Sequence, residues 1–240
     1  MPAYPICPWK HVPEGLLFDK GTVGTAFFVS EKGIFITAAH VVREYLEHDT
    51  PLRIMFVGFD PPKLYPVQPD HIVCHPTLDV AIGIVPVPTA IDLKRFVLAD
   101  VEVPAGEAIG MYGFSHTEVL EIPPVAGDKP GLGLKFWPAF HQGHIDSYRT
   151  DGFGLARGPV YVHTAETLGA ASGGPVVHFA SSMVCGVTSS GSEEYGTATD
   201  VRAILEWPFL DGMTLRALAD AGLVSIRALG APSATAGGRS

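Results

Sequence analysis

Short apolar runs, broken by glycine and proline, fill most of the chain, and this pattern predicts β-strands. The clearest pair is residues 22–30 and 34–39, and the glycine-containing segment 31–33 between them predicts a β-hairpin. Further strands are predicted at residues 52–57, 64–74, 80–85, 108–114, 159–163, 175–179, 182–189 and 195–200. Many short strands separated by turns predict an all-β fold of barrels or sandwiches.

Helical periodicity is confined to three short segments. Residues 41–46 predict a helix directly after the hairpin, and residues 201–207 predict another. Residues 214–221 carry apolar side chains at helical spacing, and Gly222 supplies the stop after them. The chain is therefore predicted to follow its strands with a short C-terminal helix.

The remaining segments show neither period. The proline-rich residues 1–13 predict an extended arm, and residues 121–135, rich in glycine and proline, predict a surface loop. The tail from Ala231 is rich in serine, alanine and glycine, which is typical of a disordered end. Residues 85–92 and 101–106 form the predicted link between two halves of the chain.

The composition excludes several classes of partner. Hydrophobic residues make up 47% of the 240 residues and charged residues 17%, which leaves ample apolar material for a buried core. The formal net charge is −9 and no basic run occurs, so we expect neither nucleic acid nor a membrane surface as a partner. No apolar stretch approaches the roughly 20 residues of a membrane span, and the first residues do not resemble a secretory signal. We therefore expect a cytoplasmic location.

The residues that commonly bind metals lack the spacing of a metal site. The three cysteines show no paired spacing, so we expect free thiols and no cysteine zinc site. His141 and His144 are spaced like ligands, but no third ligand accompanies them. The sequence therefore predicts neither a metal nor another cofactor.

One segment, residues 169–175, has the composition of a turn that exposes a nucleophile. Ser172 is followed by two glycines, which allow a sharp turn, and by Pro175, which fixes φ at the start of an apolar run. Such a turn presents a hydroxyl beside backbone N–H groups. Taken alone, the same residues also fit an ordinary glycine-rich turn between strands.

Three segments together favour the catalytic interpretation. Residues 37–42, 75–82 and 171–176 resemble the signature segments of trypsin-like serine peptidases, and they contribute His40, Asp79 and Ser172 in the chymotrypsin-type order. The chain places Asp79 39 residues after His40 and Ser172 a further 93 residues on. The resemblance runs from about residue 20 to about residue 205.

The resemblance implies a fold and a domain organisation. It implies two six-stranded antiparallel β-barrels of the chymotrypsin type, followed by the C-terminal helical segment. Residues 1–98 would hold the arm and the first barrel, residues 99–207 the second barrel, and residues 208–240 the helix and tail. Together they would form one peptidase domain.

The resemblance also implies a reaction, the hydrolysis of peptide bonds through an acyl-enzyme intermediate. Ser172 would attack the scissile carbonyl, His40 would act as general base and then general acid, and Asp79 would orient the imidazole. The backbone N–H groups of Ala170 and Ser172 would form the oxyanion hole. The substrate would be a protein or peptide.

Two alanines depart from the family pattern. Ala170 stands where the family usually has glycine, and a side chain there disfavours a positive φ. Ala171 stands where the digestive members have the aspartate that pairs with a new N-terminus, so activation by that route is not available. The chain thus more closely resembles the bacterial intracellular members. Ala170 also keeps an alternative open, namely a catalytically weak or inactive domain that binds peptides or acts as a scaffold.

The specificity pocket is the least defined part of the predicted site. The resemblance implies Glu166 and Thr167 at its base, with Ser189 and Gly191 in its wall. If Glu166 lines the pocket, a lysine or arginine side chain would be favoured; otherwise it is a solvent-exposed rim residue. A regulatory protein partner is a further expectation, with the apolar face of residues 214–221 as its contact.

Overall fold

The computed structural model describes residues 3–12, 15–18, 22–48, 52–56, 63–87, 93–122, 131–192 and 194–228. Strands dominate these residues and form two barrel-like sheets, with few helices between them. The predicted all-β, two-barrel fold class is confirmed.

The first sheet is built from the N-terminal strands. These are β1 (Ala3–Val12), β2 (Gly15–Phe18), β3 (Gly24–Phe28), β4 (Ile34–Thr37), β5 (Leu52–Phe56), β6 (Lys63–Val67), β7 (Ile72–Cys74) and β8 (Ala81–Ile84). They pair in the order β6-β5-β1-β3-β4-β8-β7, with β2 added to β1. The predicted hairpin is β3–β4, in which Phe27 lies opposite Ile36.

Helix α1 (Ala39–Glu47) begins directly after β4, close to the predicted start of the first helix. Val41, Val42 and Tyr45 are buried, and they pack into the core of the first sheet. This packing fixes the first turn of α1, where His40 lies, against the sheet.

The predicted N-terminal arm is wrong. β1 lies inside the first sheet, where it pairs with both β3 and β5. Tyr4, Ile6 and Cys7 are buried in it. The prolines that suggested an arm fix φ in the extended range, which a strand also uses.

The second sheet contains the remaining long strands. The strands of this half are β9 (Leu98–Ala99), β10 (Ala108–Ile122), β11 (Gly131–Arg149), β12 (Gly152–Phe153), β13 (Ala156–Arg157), β14 (Val160–His163), β15 (Pro175–His178), β16 (Met183–Gly191), β17 (Gly196–Asp200) and β18 (Ile226–Arg227). Six of them close a barrel, in the order β15-β10-β11-β14-β17-β16 and back to β15. β9 and β18 extend it, and β12–β13 is a separate hairpin.

The surface loop predicted at residues 121–135 is wrong where the structure describes it. β10 and β11 continue as an antiparallel pair as far as Ile122 opposite Gly131. Gly131 and Gly133 therefore lie in a paired strand and not in a loop. Residues 123–130 and the tail from Ala231 lie outside the described residues.

The C-terminal segment is part of the core. Helix α2 (Leu215–Asp220) is capped by Thr214, whose hydroxyl accepts a hydrogen bond from the Ala217 N–H at 3.0 Å. Leu215 and Leu218 are buried in a cluster that also contains Phe27 of β3. The apolar face predicted to await a partner is therefore covered by the protein itself. The helix predicted at residues 201–207 is a 3₁₀ turn over Val201–Ile204.

Four predictions concern the chain as a whole: membrane spans, cysteines, domain division and cellular location. Among the described residues, no helix has both the length and the apolar character to cross a membrane. The three cysteines are free thiols, and Cys74 is only half-buried. The division at residues 98 and 207 and the cytoplasmic location stay predictions.

The two barrels meet at Thr25 of β3, which is fully buried. Its N–H donates to the Ser172 carbonyl at 2.8 Å, and its hydroxyl donates to the Ala170 carbonyl at 2.9 Å. The same hydroxyl accepts from the Phe114 N–H of β10 at 3.2 Å. One side chain of the first sheet thus fixes two segments of the second half.

Gly173 makes this close approach possible. Its φ is +83°, and a Cβ there would lie 2.3 Å from the Thr25 carbonyl oxygen and 2.7 Å from the Ala38 nitrogen. Gly106 has a similar φ of +88° with no atom within 4 Å of its Cβ position. Both positions penalise a side chain through the positive φ, but only Gly173 also lacks space for a Cβ. A comparison of the two therefore isolates the cost of the missing space.

We predict that Gly173→Ala costs far more stability than Gly106→Ala. The control should lose about 1–2 kcal/mol, because only the left-handed conformation is penalised. Gly173→Ala should lose about 3 kcal/mol beyond that, since backbone atoms must move. Urea denaturation of both variants measures the difference, and equal losses would show that the junction is not tightly packed.

His163 at the end of β14 is fully buried inside the second barrel. Burial lowers the pKa of His163 from 6.5 to about 4. The folded protein therefore holds the neutral imidazole, whereas the unfolded chain binds a proton below pH 6.5.

We predict that the free energy of unfolding falls as the pH drops from 6.5 to about 4. The contribution of His163 is present above its unfolded pKa and is lost through this window, by up to about 3 kcal/mol. His163→Gln cannot titrate, so its stability should depend less steeply on pH there. Chemical denaturation of both proteins between pH 4 and 7 tests this, and parallel curves would contradict it.

Candidate active site

The three residues of the predicted triad border one cleft between the two barrels. His40 lies in the first turn of α1, Asp79 lies in the loop between β7 and β8, and Ser172 follows a 3₁₀ turn. The cleft has a volume of about 640 Å³, and all three side chains line it. Residues from both sheets therefore meet at the same cavity.

His40 and Asp79 are joined by two hydrogen bonds. The Nδ1 atom of His40 lies 2.7 Å from Asp79 Oδ2, and the His40 backbone N–H donates to Oδ1 at 2.9 Å. The carboxylate acceptor sets the tautomer with the proton on Nδ1, which leaves Nε2 as the basic nitrogen. The pair therefore has the orientation of a general base with its supporting carboxylate.

Ser189 completes the surroundings of Asp79. Its hydroxyl donates to Asp79 Oδ2 at 2.5 Å. Burial raises the pKa of Asp79, but the hydrogen bonds from His40 and Ser189 and the charge of His40 outweigh it and hold that pKa below its usual value. The carboxylate is thus ionised at neutral pH. The sequence assigned Ser189 to the pocket wall; the structure gives it this additional contact.

The loop that presents Asp79 is held by His75, which the sequence analysis did not single out. The Nδ1 atom of His75 accepts hydrogen bonds from the N–H groups of Thr77 and Leu78 at 3.2 and 3.0 Å. The His75 ring also packs against the Trp207 ring, with centroids 4.7 Å apart and the ring planes tilted by 59°. Burial lowers the pKa of His75, in keeping with a neutral ring that accepts at Nδ1.

Ser172 is almost buried, at 9% exposure. Its hydroxyl donates to the Ser189 carbonyl oxygen at 3.2 Å. In the described part of the chain, no hydrogen bond joins this hydroxyl to His40. The side chain therefore faces the cleft in a conformation turned toward β16.

The turn before Ser172 bears on the predicted oxyanion hole. Gly169–Ala171 forms a 3₁₀ turn, in which the Ala171 N–H donates to the Leu168 carbonyl at 2.9 Å. In a 3₁₀ turn each N–H points toward the carbonyl three residues before it, which for Ser172 is that of Gly169, but no hydrogen bond joins these two groups among the described residues. Ala170 keeps a negative φ, because the positive values among described non-glycine residues occur elsewhere. The N–H groups of Ala170 and Ser172 are thus not both directed at the cleft.

The specificity pocket differs from the prediction at Glu166. Thr167, Ser189 and Gly191 line the cleft as predicted, but Glu166 does not. The Glu166 side chain is 67% exposed, and its Oε2 lies 3.3 Å from Nδ1 of His141. Of the two interpretations of Glu166, the structure favours the exposed rim residue, since the carboxylate is turned out toward His141.

The histidines with ligand-like spacing have other contacts. His141 pairs with Glu166, and Nδ1 of His144 lies 3.1 Å from the Thr164 hydroxyl. Within the described ranges, no group of three or more His, Cys, Asp or Glu residues could hold a metal ion.

The cleft also contains residues from segments that the sequence analysis did not connect with the site. Arg43, Leu155 and Arg157 line the cavity. Arg43 follows His40 by three residues, which is one helical turn, so the helix prediction could have placed it there. Leu155 and Arg157 belong to the β12–β13 hairpin, for which the sequence carried no clear signal.

The fold is similar to several solved peptidases. The protease domain of MamO from Magnetospirillum magneticum, in its apo form, is 17% identical, with a TM-score of 0.59 over 85% of this chain and 94% of that one. Deg5 is 14% identical, with a TM-score of 0.58 over 85% and 86%. The Rv3671c protease in an inactive form is 19% identical, with a TM-score of 0.52 over 83% of each chain. At these identities the likeness concerns the fold.

Sequence comparison adds the family. No curated protein matches the chain. The family model described as the trypsin-like peptidase domain matches residues 24–187, which is more than half of the chain and includes the serine turn and both other signature segments. The chain belongs to the family of trypsin-like peptidase domains.

Proposed function

We propose that this protein is a serine endopeptidase that hydrolyses peptide bonds through His40, Asp79 and Ser172. The observation that carries the proposal is the 2.7 Å contact between His40 Nδ1 and Asp79 Oδ2, beside a cleft that Ser172 also lines. The serine is the nucleophile, the histidine transfers its proton, and the aspartate supports the histidine. The family implies a protein or peptide substrate.

The first half of the reaction would acylate Ser172. Its Oγ attacks the scissile carbonyl carbon, while His40 Nε2 takes the hydroxyl proton. The resulting imidazolium is stabilised by the ionised Asp79, whose pKa is held low by the hydrogen bonds from His40 and Ser189. Collapse of the tetrahedral intermediate breaks the C–N bond, and His40 gives the proton to the leaving amine.

The second half would release the acyl group. A water molecule gives a proton to His40 and attacks the ester carbonyl carbon. The C–O bond to Ser172 then breaks, and the proton returns from His40 to the serine oxygen. The products are a carboxylic acid and the free enzyme, so atoms and charge balance.

The reaction requires two local rearrangements. The Ser172 hydroxyl must leave the Ser189 carbonyl and turn toward His40, which is a rotation about one side-chain bond. Catalytic hydrogen bonds often tighten only when substrate binds, so the present contact is compatible with activity. The peptide between Gly169 and Ala170 must also turn, so that the N–H groups of Ala170 and Ser172 can bind the oxyanion.

We predict that a fluorophosphonate probe labels the protein at Ser172. Ser172→Ala should abolish labelling and lower kcat/KM on a cleaved peptide by about 10⁴-fold or more. Ser192→Ala, which removes an exposed hydroxyl beyond β16, is the matched control and should label normally. The proposal would be wrong if labelling persisted in Ser172→Ala. It would also be wrong if the probe modified a control peptidase but not this protein.

A second candidate function is a peptide-binding module with weak or no hydrolysis. The observation that favours it is the 3₁₀ turn, in which the Ser172 N–H faces a carbonyl and not the cleft. Without one oxyanion donor, hydrolysis typically slows by about 10²–10³-fold. The same cleft would still hold a peptide.

We predict that Ala170→Gly raises kcat by about tenfold, because glycine removes a cost of about 1–2 kcal/mol for positive φ in the turned peptide. Ala171→Gly is the matched control: it loosens the same turn without changing the residue that carries the oxyanion N–H, and it should not raise kcat. Steady-state kinetics on one peptide substrate measures both. A rise in both variants, or a fall in Ala170→Gly, would contradict the assigned oxyanion geometry.

A further inference from the structure

The cleft has an unusual charge for this protein. The whole chain has a formal net charge of −9. Besides His40, the charged side chains that line the cleft are Asp79, Arg43 and Arg157. The Asp79 carboxylate is hydrogen-bonded to His40 and Ser189, so its negative charge is already balanced by contacts within the protein. The two guanidinium groups are what an entering substrate would meet.

Both arginines are available to a ligand. Arg43 and Arg157 are exposed, and neither forms an ion pair within the part of the chain that the structure describes. Arg43 contacts the Cys74 thiol, which does not neutralise its charge. By contrast, Arg202 and Arg216, which do not line the cleft, are each paired with two carboxylates.

An apolar side chain accompanies Arg157. Leu155 is 89% exposed at the tip of the β12–β13 hairpin, and it lines the same cleft. The hairpin leads into Gly158, where a Cβ would lie 2.3 Å from Leu78 Cδ2, so the strand end is packed against the loop that carries Asp79. This contact holds Leu155 and Arg157 at the rim of the cleft. A single exposed leucine on a protein surface is ordinary. Leu155, however, lies at a cleft together with Arg157, so the two side chains offer a substrate one apolar and one charged contact.

We propose that the cleft selects acidic peptide segments, in which a carboxylate pairs with Arg157, a neighbouring apolar side chain contacts Leu155, and Arg43 adds to the positive charge of the cleft. This inference rests on the proposed peptidase function. A guanidinium binds carboxylates through two parallel hydrogen bonds, which gives direction as well as charge. A positive cleft in an acidic protein also attracts acidic segments while the rest of the surface repels them.

The first arm of the test measures cleavage. Two octapeptide libraries carry either Asp and Glu or their amide counterparts Asn and Gln at fixed positions, with the other positions randomised. We expect the wild-type protein to cleave the acidic library with a kcat/KM roughly three- to fivefold higher, which corresponds to one partly exposed ion pair. Arg157→Ala should abolish that preference. Arg149→Ala is the control, because Arg149 is exposed on the same barrel but does not line the cleft.

The second arm measures binding without hydrolysis. The Ser172→Ala protein is titrated with fluorescein-labelled peptides from each library at low and high salt. We expect tighter binding of acidic peptides at low salt, and a loss of that difference at high salt. Arg157→Glu in the same background should reverse the preference.

The outcomes separate the two proposals. If acidic peptides bind preferentially but nothing is cleaved, the peptidase proposal fails and the acidic-peptide inference stands. If both libraries are cleaved equally well and Arg157→Ala changes neither, the inference is overturned and the peptidase proposal stands. Equal binding of both libraries at low salt also overturns the inference.

Discussion

The hydrogen bonds of Thr25 hold the candidate site together. One buried residue of the first sheet binds the carbonyls on either side of Ala171 and the Phe114 N–H of β10. Its own carbonyl accepts from the Thr37 hydroxyl at 2.8 Å, which ties the strand β3 to the end of β4, directly before α1. Because His40 follows that point by three residues, Thr25 fixes the distance between the two halves of the proposed triad. A loss of its contacts would separate the serine from the histidine without altering either.

Such contacts require backbones to approach more closely than side chains normally permit. Besides Gly173, Gly113 and Gly174 lie at this junction: a Cβ on Gly113 would be 2.7 Å from Ala171 Cα, and one on Gly174 would be 2.1 Å from the Tyr112 carbonyl oxygen. Gly24, the residue before Thr25, has the same role, since a Cβ there would lie 2.4 Å from the Val41 side chain of α1 and 3.0 Å from the Ser172 carbonyl oxygen. The glycines near Ser172 therefore have a packing role that is independent of catalysis. The two interpretations of this segment, a glycine-rich packing turn and a turn that presents a nucleophile, are therefore compatible with each other.

The sequence predicted the parts of the site that depend on local order and failed where the chain is brought together from a distance. His40, Asp79 and Ser172 could be predicted because each stands near the edge of a strand, in a segment with its own signature, and the structure places all three at one cleft. Thr25 carried no such signature, since its importance lies in partners 89 to 147 residues away. Glu166 was assigned by counting from Ser172, which cannot tell that its carboxylate turns toward His141. The apolar face of α2 was predicted correctly as a face, but only the tertiary structure shows what covers it.

The same junction limits how much the serine turn can change. Thr25 binds the carbonyls of Ala170 and Ser172, so the peptide between Gly169 and Ala170 is the unit that can turn without breaking these bonds. Apart from the neighbouring residues of its own turn, no described atom lies within 4 Å of the Cβ position of Gly169, so the turn is open on that side. A positive φ at Ala170 would cost about 1–2 kcal/mol. Each hydrogen bond to a charged oxyanion contributes about 1.5–3 kcal/mol, so two of them exceed that cost. An alanine at position 170 would thus slow the proposed reaction without preventing it, because the oxyanion of the substrate would itself stabilise the turned peptide.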